Sequence, residues 1–280
     1  MDRIATRSVE ANGLRFNVAV AGDGPTVLLL HGFPDTLRVW HRQIGVLAAA
    51  GYRVIAPDQR GCGNSEMPTS VRAYRLENLA NDIIALLDAL GIHEPVHLVG
   101  HDWGAVVGWQ LAIEHAARFR SFAVMSVGHP AEYRRGFEQK WRSWYIYLFL
   151  LRGLAERLIR AGNWRAMRTL VDDPGENEAR VAALSRPGRL TAGLSWYRAN
   201  VWQVLTRRFG TTPLPVFGMW SDGDFALAEN QMRNSGRHVT GPWRYQRIEG
   251  ASHWLQIDRA DDINRLLLAW FAAPSDGFPA

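Results

Sequence analysis

The segment Val96-His97-Leu98-Val99-Gly100-His101-Asp102-Trp103-Gly104-Ala105 constrains the fold more than any other stretch of the chain. Val96 to Val99 is a short apolar run of the kind that forms a buried strand, and Ala105 to Phe119 has the pattern of an amphipathic helix. Gly100 and Gly104 flank Asp102, so strand, sharp turn and helix follow one another with the pattern Gly-x-nucleophile-x-Gly. The glycines permit a turn that a Cβ would obstruct, and the turn holds the middle side chain out at the strand's end.

An aspartate in that place implies a particular chemistry. A carboxylate with a reference pKa of about 4 is ionised at neutral pH, so it attacks an electrophilic carbon without help from a base. The product of that attack is an ester, and its release requires an activated water and hence a histidine. Taken alone, Asp102 also reads as a loop residue or a helix N-cap.

The surrounding pattern supports an α/β sheet. Ile4 to Glu10 and Leu14 to Ala21 flank Asn12-Gly13, a hairpin signal. Thr26 to Leu30, Tyr52 to Ala56, Val96 to Val99, Ser121 to Val127, Val216 to Ser221 and Tyr245 to Glu249 read as strands. Helical patterns run from Val39 to Ala50, Leu76 to Leu90 and Ile263 to Phe271, with Gly51 and Gly91 as stops. Alternation of this kind predicts a mostly parallel sheet covered by helices on both faces. It breaks at His129-Pro130. Residues 131–212 lack strand signals and are rich in Trp, Tyr, Arg and Leu, so they read as an all-helical insertion interrupted at Asp173-Pro174-Gly175 and Arg186-Pro187-Gly188. The expected division is a core of residues 1–130 and 213–280 with a helical domain at 131–212. The tail after Pro274 is expected to fray.

Composition excludes several classes. The formal net charge is +5, and Lys140 is the only lysine among 32 basic residues. The arginines form no dense run, which argues for a GC-rich, bacterial genome rather than a nucleic-acid partner. Cys62 is the only cysteine, so no intrachain disulfide can form. The N-terminus lacks the apolar core of a signal peptide, and the run Trp144 to Leu151 is too short to span a bilayer. A cytoplasmic protein without a membrane partner is the expectation, with a homo-oligomer left open. His93, His97 and His101 recur every four residues but cannot share a helix face, so no metal site is expected.

The partners of Asp102 should follow in the order acid, then base. His253 lies just past the Tyr245 strand, and Asp222 and Asp224 lie just past the Val216 strand, where open α/β sheets place their chemistry. Spacing alone does not separate the two aspartates. Some enzymes with this layout take the acid from the loop after the Ser121 strand, where the nearest carboxylate is Glu132. His31-Gly32-Phe33-Pro34 lies where an oxyanion hole belongs, formed by the backbone N–H groups of Phe33 and Trp103. His31 reads as structural, Phe33-Pro34 as a candidate cis peptide, Asp58 to Ser65 as a structural turn, and Cys62 as inert.

These motifs resemble those of the α/β-hydrolase superfamily, specifically its epoxide hydrolases and the related haloalkane dehalogenases. The matching stretches are His31-Gly32-Phe33-Pro34, Asp58-Gln59-Arg60-Gly61-Cys62-Gly63-Asn64-Ser65, Gly100-His101-Asp102-Trp103-Gly104, Gly223-Asp224-Phe225-Ala226-Leu227 and Ser252-His253-Trp254. The resemblance covers nearly the whole chain and implies the α/β-hydrolase fold, Asp224 as the acid and the helical insertion as a cap. It also implies two cap tyrosines that donate to the alkoxide formed as the ring opens. Trp196-Tyr197-Arg198-Ala199-Asn200 resembles the motif of one and Ser143-Trp144-Tyr145 that of the other, with Tyr147 close by. A phenol with a pKa near 10 keeps its proton at neutral pH and can serve.

The expected activity is conversion of a small apolar epoxide and water to a vicinal diol, without a cofactor. Haloalkane dehalogenation through the same Asp102 is the alternative. Family dehalogenases often carry an Asn after the His-Gly pair, where Phe33 stands here, or a second cap Trp, for which this chain offers several candidates. Fluoroacetate dehalogenases carry an Arg where Trp103 stands. A non-catalytic small-molecule receptor on the same fold is the reading from a different class.

Overall fold

The computed structural model describes residues 5–273 with the exception of Gly136. Ile4 and the tail after Pro274, both subjects of sequence expectations, lie outside the described residues. The chain opens with the expected hairpin, β1 (Thr6–Ala11) and β2 (Leu14–Ala21), turned by Asn12 and Gly13 at φ 48° and 71°. Two successive positive φ values suit the right-handed twist of the flanking strands. β3 (Thr26–Leu30) is buried along its whole length. The helix expected from Val39 begins as a 3₁₀ turn, Leu37–Trp40, and continues as α1 (His41–Ala49). Then come β4 (Arg53–Pro57), α2 (Leu76–Ala89), β5 (Val96–His101), α3 (Trp103–Glu114) and β6 (Phe119–Met125). α3 ends five residues earlier than its pattern suggested. Ala116–Arg118 forms a 3₁₀ turn and Phe119 already belongs to the strand. No Gly or Pro separates the apolar residues of helix and strand there, so the sequence carries no mark of the boundary.

Between β6 and β7 the chain is helical: α4 (Pro130–Tyr133), α5 (Phe137–Arg142), α6 (Trp144–Leu150), α7 (Leu154–Trp164), α8 (Pro174–Ser185) and α9 (Arg189–Thr206). α7 is broken at Ala161–Asn163, where Gly162 and Asn163 take positive φ. The carboxylate of Asp173 caps α8, accepting from the Glu176 amide at 3.2 Å, and Pro174 opens the helix where a missing N–H costs nothing. The return to the sheet includes an isolated parallel bridge between Thr212 and Val239. β7 (Val216–Ser221), α10 (Glu229–Asn234), β8 (Trp243–Ile248), α11 (Leu255–Asp258) and α12 (Ala260–Ala272) complete the chain. α10 and α11, short helices of six and four residues, have no counterpart among the sequence expectations.

The eight strands form one sheet in the order β1-β2-β4-β3-β5-β6-β7-β8. Pairings from β3 and β4 onward are parallel, while β1 and β2 are antiparallel to their neighbours. This is the α/β-hydrolase fold. Alternate residues of the central strands face opposite cores: Leu28, Leu30 and Leu98 pack under α2 and α3, and Val27, Leu29 and Val99 pack under α1 and α12. Chain order reverses direction at β3, whose neighbours are β4 on one side and β5 on the other. The loops after β3 and β5 therefore diverge around a crevice at the strands' carboxyl ends, the usual place for a ligand in such a sheet.

Candidate active site

Asp102 stands in that crevice, at the turn from β5 into α3, with φ 52° and ψ −123°. A non-glycine residue at positive φ is uncommon and has to be held there by its surroundings. Two close approaches hold it. A Cβ at Gly104 would collide with the carbonyl oxygen of Leu30, and a Cβ at Gly32 would collide with the Asp102 carboxylate. The absent side chains let β3, its following loop and the elbow come together. The amide of Phe33 then donates to Asp102 Oδ1 at 2.7 Å. The Trp103 amide opens α3, where a helix has no carbonyl of its own to offer. Phe33-Pro34 is cis.

His253 follows β8. Its Nδ1 lies 2.8 Å from Asp224 Oδ2, and its Nε2 lies 3.7 Å from Asp102 Oδ2. All three side chains are buried. The structure separates the two aspartates that spacing left equal. Asp224 turns its other oxygen to the amides of Ala226 and Leu227, at 2.8 and 2.9 Å, while Asp222 accepts from the Gly250 amide at 2.9 Å and faces Arg247. Glu132 is spoken for elsewhere, by His238 and Arg135, both at 2.8 Å.

The electrostatics follow from this geometry. Burial pushes the Asp224 carboxyl upward, but His253 and the two amides outweigh it and leave its pKa below the ordinary value. Burial also works against a charged His253, yet Asp224 and Asp102 together raise its pKa to about 10. With Asp102 ionised, the ring between the two carboxylates is an imidazolium at neutral pH.

Tyr197 on α9 and Tyr145 on α6 line the cavity over Asp102. Burial carries both phenols well above their usual pKa, helped by the negative charge of Asp102, which for Tyr145 ranks after the neighbouring Tyr133. Both keep their protons and remain donors. Tyr197 stands edge-on to Trp103 and Phe33, with ring centroids 5.1 and 5.7 Å away. Tyr147 points outward and is 64% exposed. The cavity has two limbs that meet at Asp102, Tyr145 and Tyr197. The inner one is walled by residues such as Val106, Leu205 and Tyr133. The outer one passes His253, Phe225 and Met167 toward Trp141 and Trp144. Both walls are mainly apolar, which suits an apolar ligand with a few polar anchors.

Sequence reasoning missed the residues that hold this arrangement in place. His101 Nε2 and Ser126 Oγ both donate to the His253 carbonyl, at 2.9 and 3.0 Å. Arg180 of α8 donates to Asp35 at 2.6 Å, and the Trp254 indole donates to the other oxygen of the same carboxylate at 2.8 Å. Gln139 of α5 binds the loop after Asp224 twice, donating to the Ala226 carbonyl and accepting from the Ala228 amide. Tyr133 shares the inner limb and bonds Ser143 at 2.5 Å. His101 and Trp254 lie within motifs read from the sequence, but nothing there marks their contacts, and nothing pairs Arg180 with Asp35.

The remaining expectations concern structure. His31 accepts from the Gln59 amide at 3.0 Å, and Asp58 accepts from the amides of Leu37 and Asn64 at 2.9 Å, so both stabilise turns. Burial raises the Cys62 thiol pKa far above its usual value, which suppresses the reactive thiolate. Among the described residues no group of three or more His, Cys, Asp and Glu side chains is placed to hold a metal ion.

Comparison with known proteins identifies the family. The family model for the alpha/beta hydrolase fold matches residues 25–260. Epoxide hydrolase A of Mycobacterium tuberculosis is 32% identical, over 94% of this chain and 95% of its own. The AB hydrolase superfamily protein YfhM of Bacillus subtilis is also 32% identical, over 96% and 99% of the two chains. The crystal structure of epoxide hydrolase A from Mycobacterium thermoresistibile superposes with a TM-score of 0.83 at 30% identity, covering 95% of this chain and 97% of that one. The chain belongs to the alpha/beta hydrolase family, in its epoxide hydrolase branch.

Proposed function

We propose that the protein hydrolyses an apolar epoxide to a vicinal diol through a covalent ester on Asp102. One observation carries the reading: a buried carboxylate and two phenols that retain their protons face the same apolar cavity. A nucleophile on one side and acids on the other are what a strained cyclic ether needs, because its leaving oxygen remains attached and must be protonated.

In the first step Asp102 Oδ2 attacks an epoxide carbon while Tyr145 and Tyr197 bind the ring oxygen. The C–O bond of the ring breaks and one phenol supplies the proton to the new hydroxyl. Esterification removes the negative charge of Asp102, one of the two charges that hold His253 as an imidazolium. The ring then releases its proton to solvent and becomes the base for the second step. His253 Nε2 takes a proton from water, and the hydroxide adds to the Asp102 carboxyl carbon. The negative charge builds on Oδ1, where the Phe33 amide already donates, and the Trp103 amide supplies the second bond. The intermediate collapses, the proton on His253 goes to the departing diol oxygen, the remaining water proton restores the phenol, and His253, again beside an ionised Asp102, recovers a proton from solvent. Asp224 holds the ring in register and stabilises its charged form, and the helical insertion acts as the cap that carries both tyrosines.

The test is product analysis on a panel of epoxides and haloalkanes. Diol formation abolished by Asp102→Ala supports the reading. Halide release without epoxide turnover would instead indicate dehalogenation, and a ligand-induced rise in Tm without any turnover would indicate a receptor.

A further inference from the structure

The helical insertion presents an apolar surface to solvent beside the outer limb of the cavity. α6 (Trp144–Leu150) is apolar and aromatic throughout; Trp144 and Tyr147 are exposed on it, and its other five residues are half-buried. Trp144 is 66% exposed, and Trp141 at the end of α5 is 75% exposed. Tyr147, Leu151, Leu154 and Leu158 continue the exposed band through the turn into α7. Single exposed apolar side chains are ordinary, but a band of them on one helical hairpin marks a contact surface. Trp141, Trp144 and Leu158 also line the outer limb, so the band surrounds its mouth.

The charge around the band is predominantly basic. Residues 131–212 hold fifteen basic residues against seven acidic ones. Arg152, Arg157 and Arg160 are exposed at the α6–α7 turn and along α7, where they line one open depression. No ion pair is formed by these three among the described residues. The nearby acids are engaged: Glu156 is buried against Arg198 at 2.8 Å, and Glu138 pairs with Arg142 at 2.9 Å.

We propose that this end of the helical insertion docks on the surface of an anionic phospholipid bilayer, with the mouth of the cavity facing the lipid. Trp and Tyr settle at the headgroup level, leucines enter the acyl boundary, and arginines reach lipid phosphates with apolar stems still buried. The contact is peripheral, since no helix among the described residues is long and apolar enough to cross a membrane. A second copy of the chain fits the same surface less well. A two-fold contact sets the patch against itself and brings unpaired arginines face to face. The expectation of no membrane partner rested on the absence of a span, which a peripheral contact does not need. Docking places the entrance where apolar epoxides concentrate, a consequence that rests on the proposed activity. The docking itself does not.

Flotation of the full chain with vesicles tests this directly. Phosphatidylcholine vesicles with and without phosphatidylglycerol are compared, at low and high salt. The expected result is capture by the anionic vesicles, weakened by salt and roughly tenfold or more weaker on the neutral ones. Arg152→Glu with Arg157→Glu should reduce capture by roughly tenfold or more. Tyr147→Ser with Leu151→Ser should reduce it independently, while turnover of a small water-soluble epoxide is retained. Equal capture by both vesicle types, or capture by neither, overturns the proposal. So does a dimer in sedimentation that the same substitutions dissociate. Because capture is read without turnover, its failure is distinct from a failure of the epoxide reading.

Discussion

His253 Nε2 stands 3.7 Å from Asp102 Oδ2, too far for a hydrogen bond but close enough for the two charges to control one another. The relationship makes the base conditional on the nucleophile. While Asp102 is ionised, His253 has a pKa of about 10 and holds its proton. Once Asp102 is an ester, Asp224 alone supports the charge. Asp102→Asn reproduces the neutral state, and removing a negative charge lowers the pKa of a nearby imidazolium. NMR titration of His253 should therefore show a downward shift from about 10 in the variant. An unchanged pKa would disconnect the two residues.

The two phenols should govern the first step and leave the second largely alone. Tyr145→Phe with Tyr197→Phe is expected to slow ester formation by about 10²–10⁴-fold, the usual contribution of general acid catalysis. Either single substitution should retain part of the rate, because one donor remains. Rapid-quench measurement of the ester separates its formation from its hydrolysis. A double variant that forms ester at the normal rate would remove the phenols from the mechanism.

Asp224→Asn should act on the opposite step. It leaves Asp102 and both tyrosines intact but removes the carboxylate that orients His253. Ester should accumulate after one turnover, with slow release of diol. Asp222→Asn changes a turn contact to Gly250 and should leave turnover near normal. Equal effects of the two substitutions would contradict the assignment of Asp224.

His253 also links stability to pH. Its pKa rises from an ordinary 6.5 to about 10 on folding, so the folded state binds a proton more tightly than the unfolded state does. The stabilisation is fully present below the unfolded value and is lost as pH rises through the folded one. Tm should decline between those two values, and His253→Gln should flatten the decline. Differential scanning calorimetry across that interval checks the slope.

How much of this was legible in the sequence depends on whether the signal was local. Thr26–Leu30 and Val96–Val99 are apolar runs beside glycine turns, and both appear as buried strands. Asp102 could be singled out because Gly100 and Gly104 mark its turn. The choice of Asp224 over Asp222 could not be read from their spacing. It follows from which carboxylate the β7 turn aims at the base and which it spends on Gly250. Tyr145 and Tyr147 are similarly two residues apart, and only the packing of α6 puts one at the cavity and leaves the other in solvent. The Arg180–Asp35 pair joins residues 145 positions apart, a relationship that no local pattern records. The end of α3 differs from the expected Phe119 because no Gly or Pro marks the junction of helix and strand.

The ester on Asp102 is the central claim, and oxygen labelling tests it most directly. Enzyme in excess over styrene oxide is allowed a single turnover in ¹⁸O-water, and the diol and the peptide containing Asp102 are weighed. The account predicts an unlabelled diol, because its new oxygen comes from Asp102, with the water oxygen left in the aspartate. A labelled diol beside an unlabelled Asp102 would mean that water attacks the epoxide directly, and would contradict the mechanism.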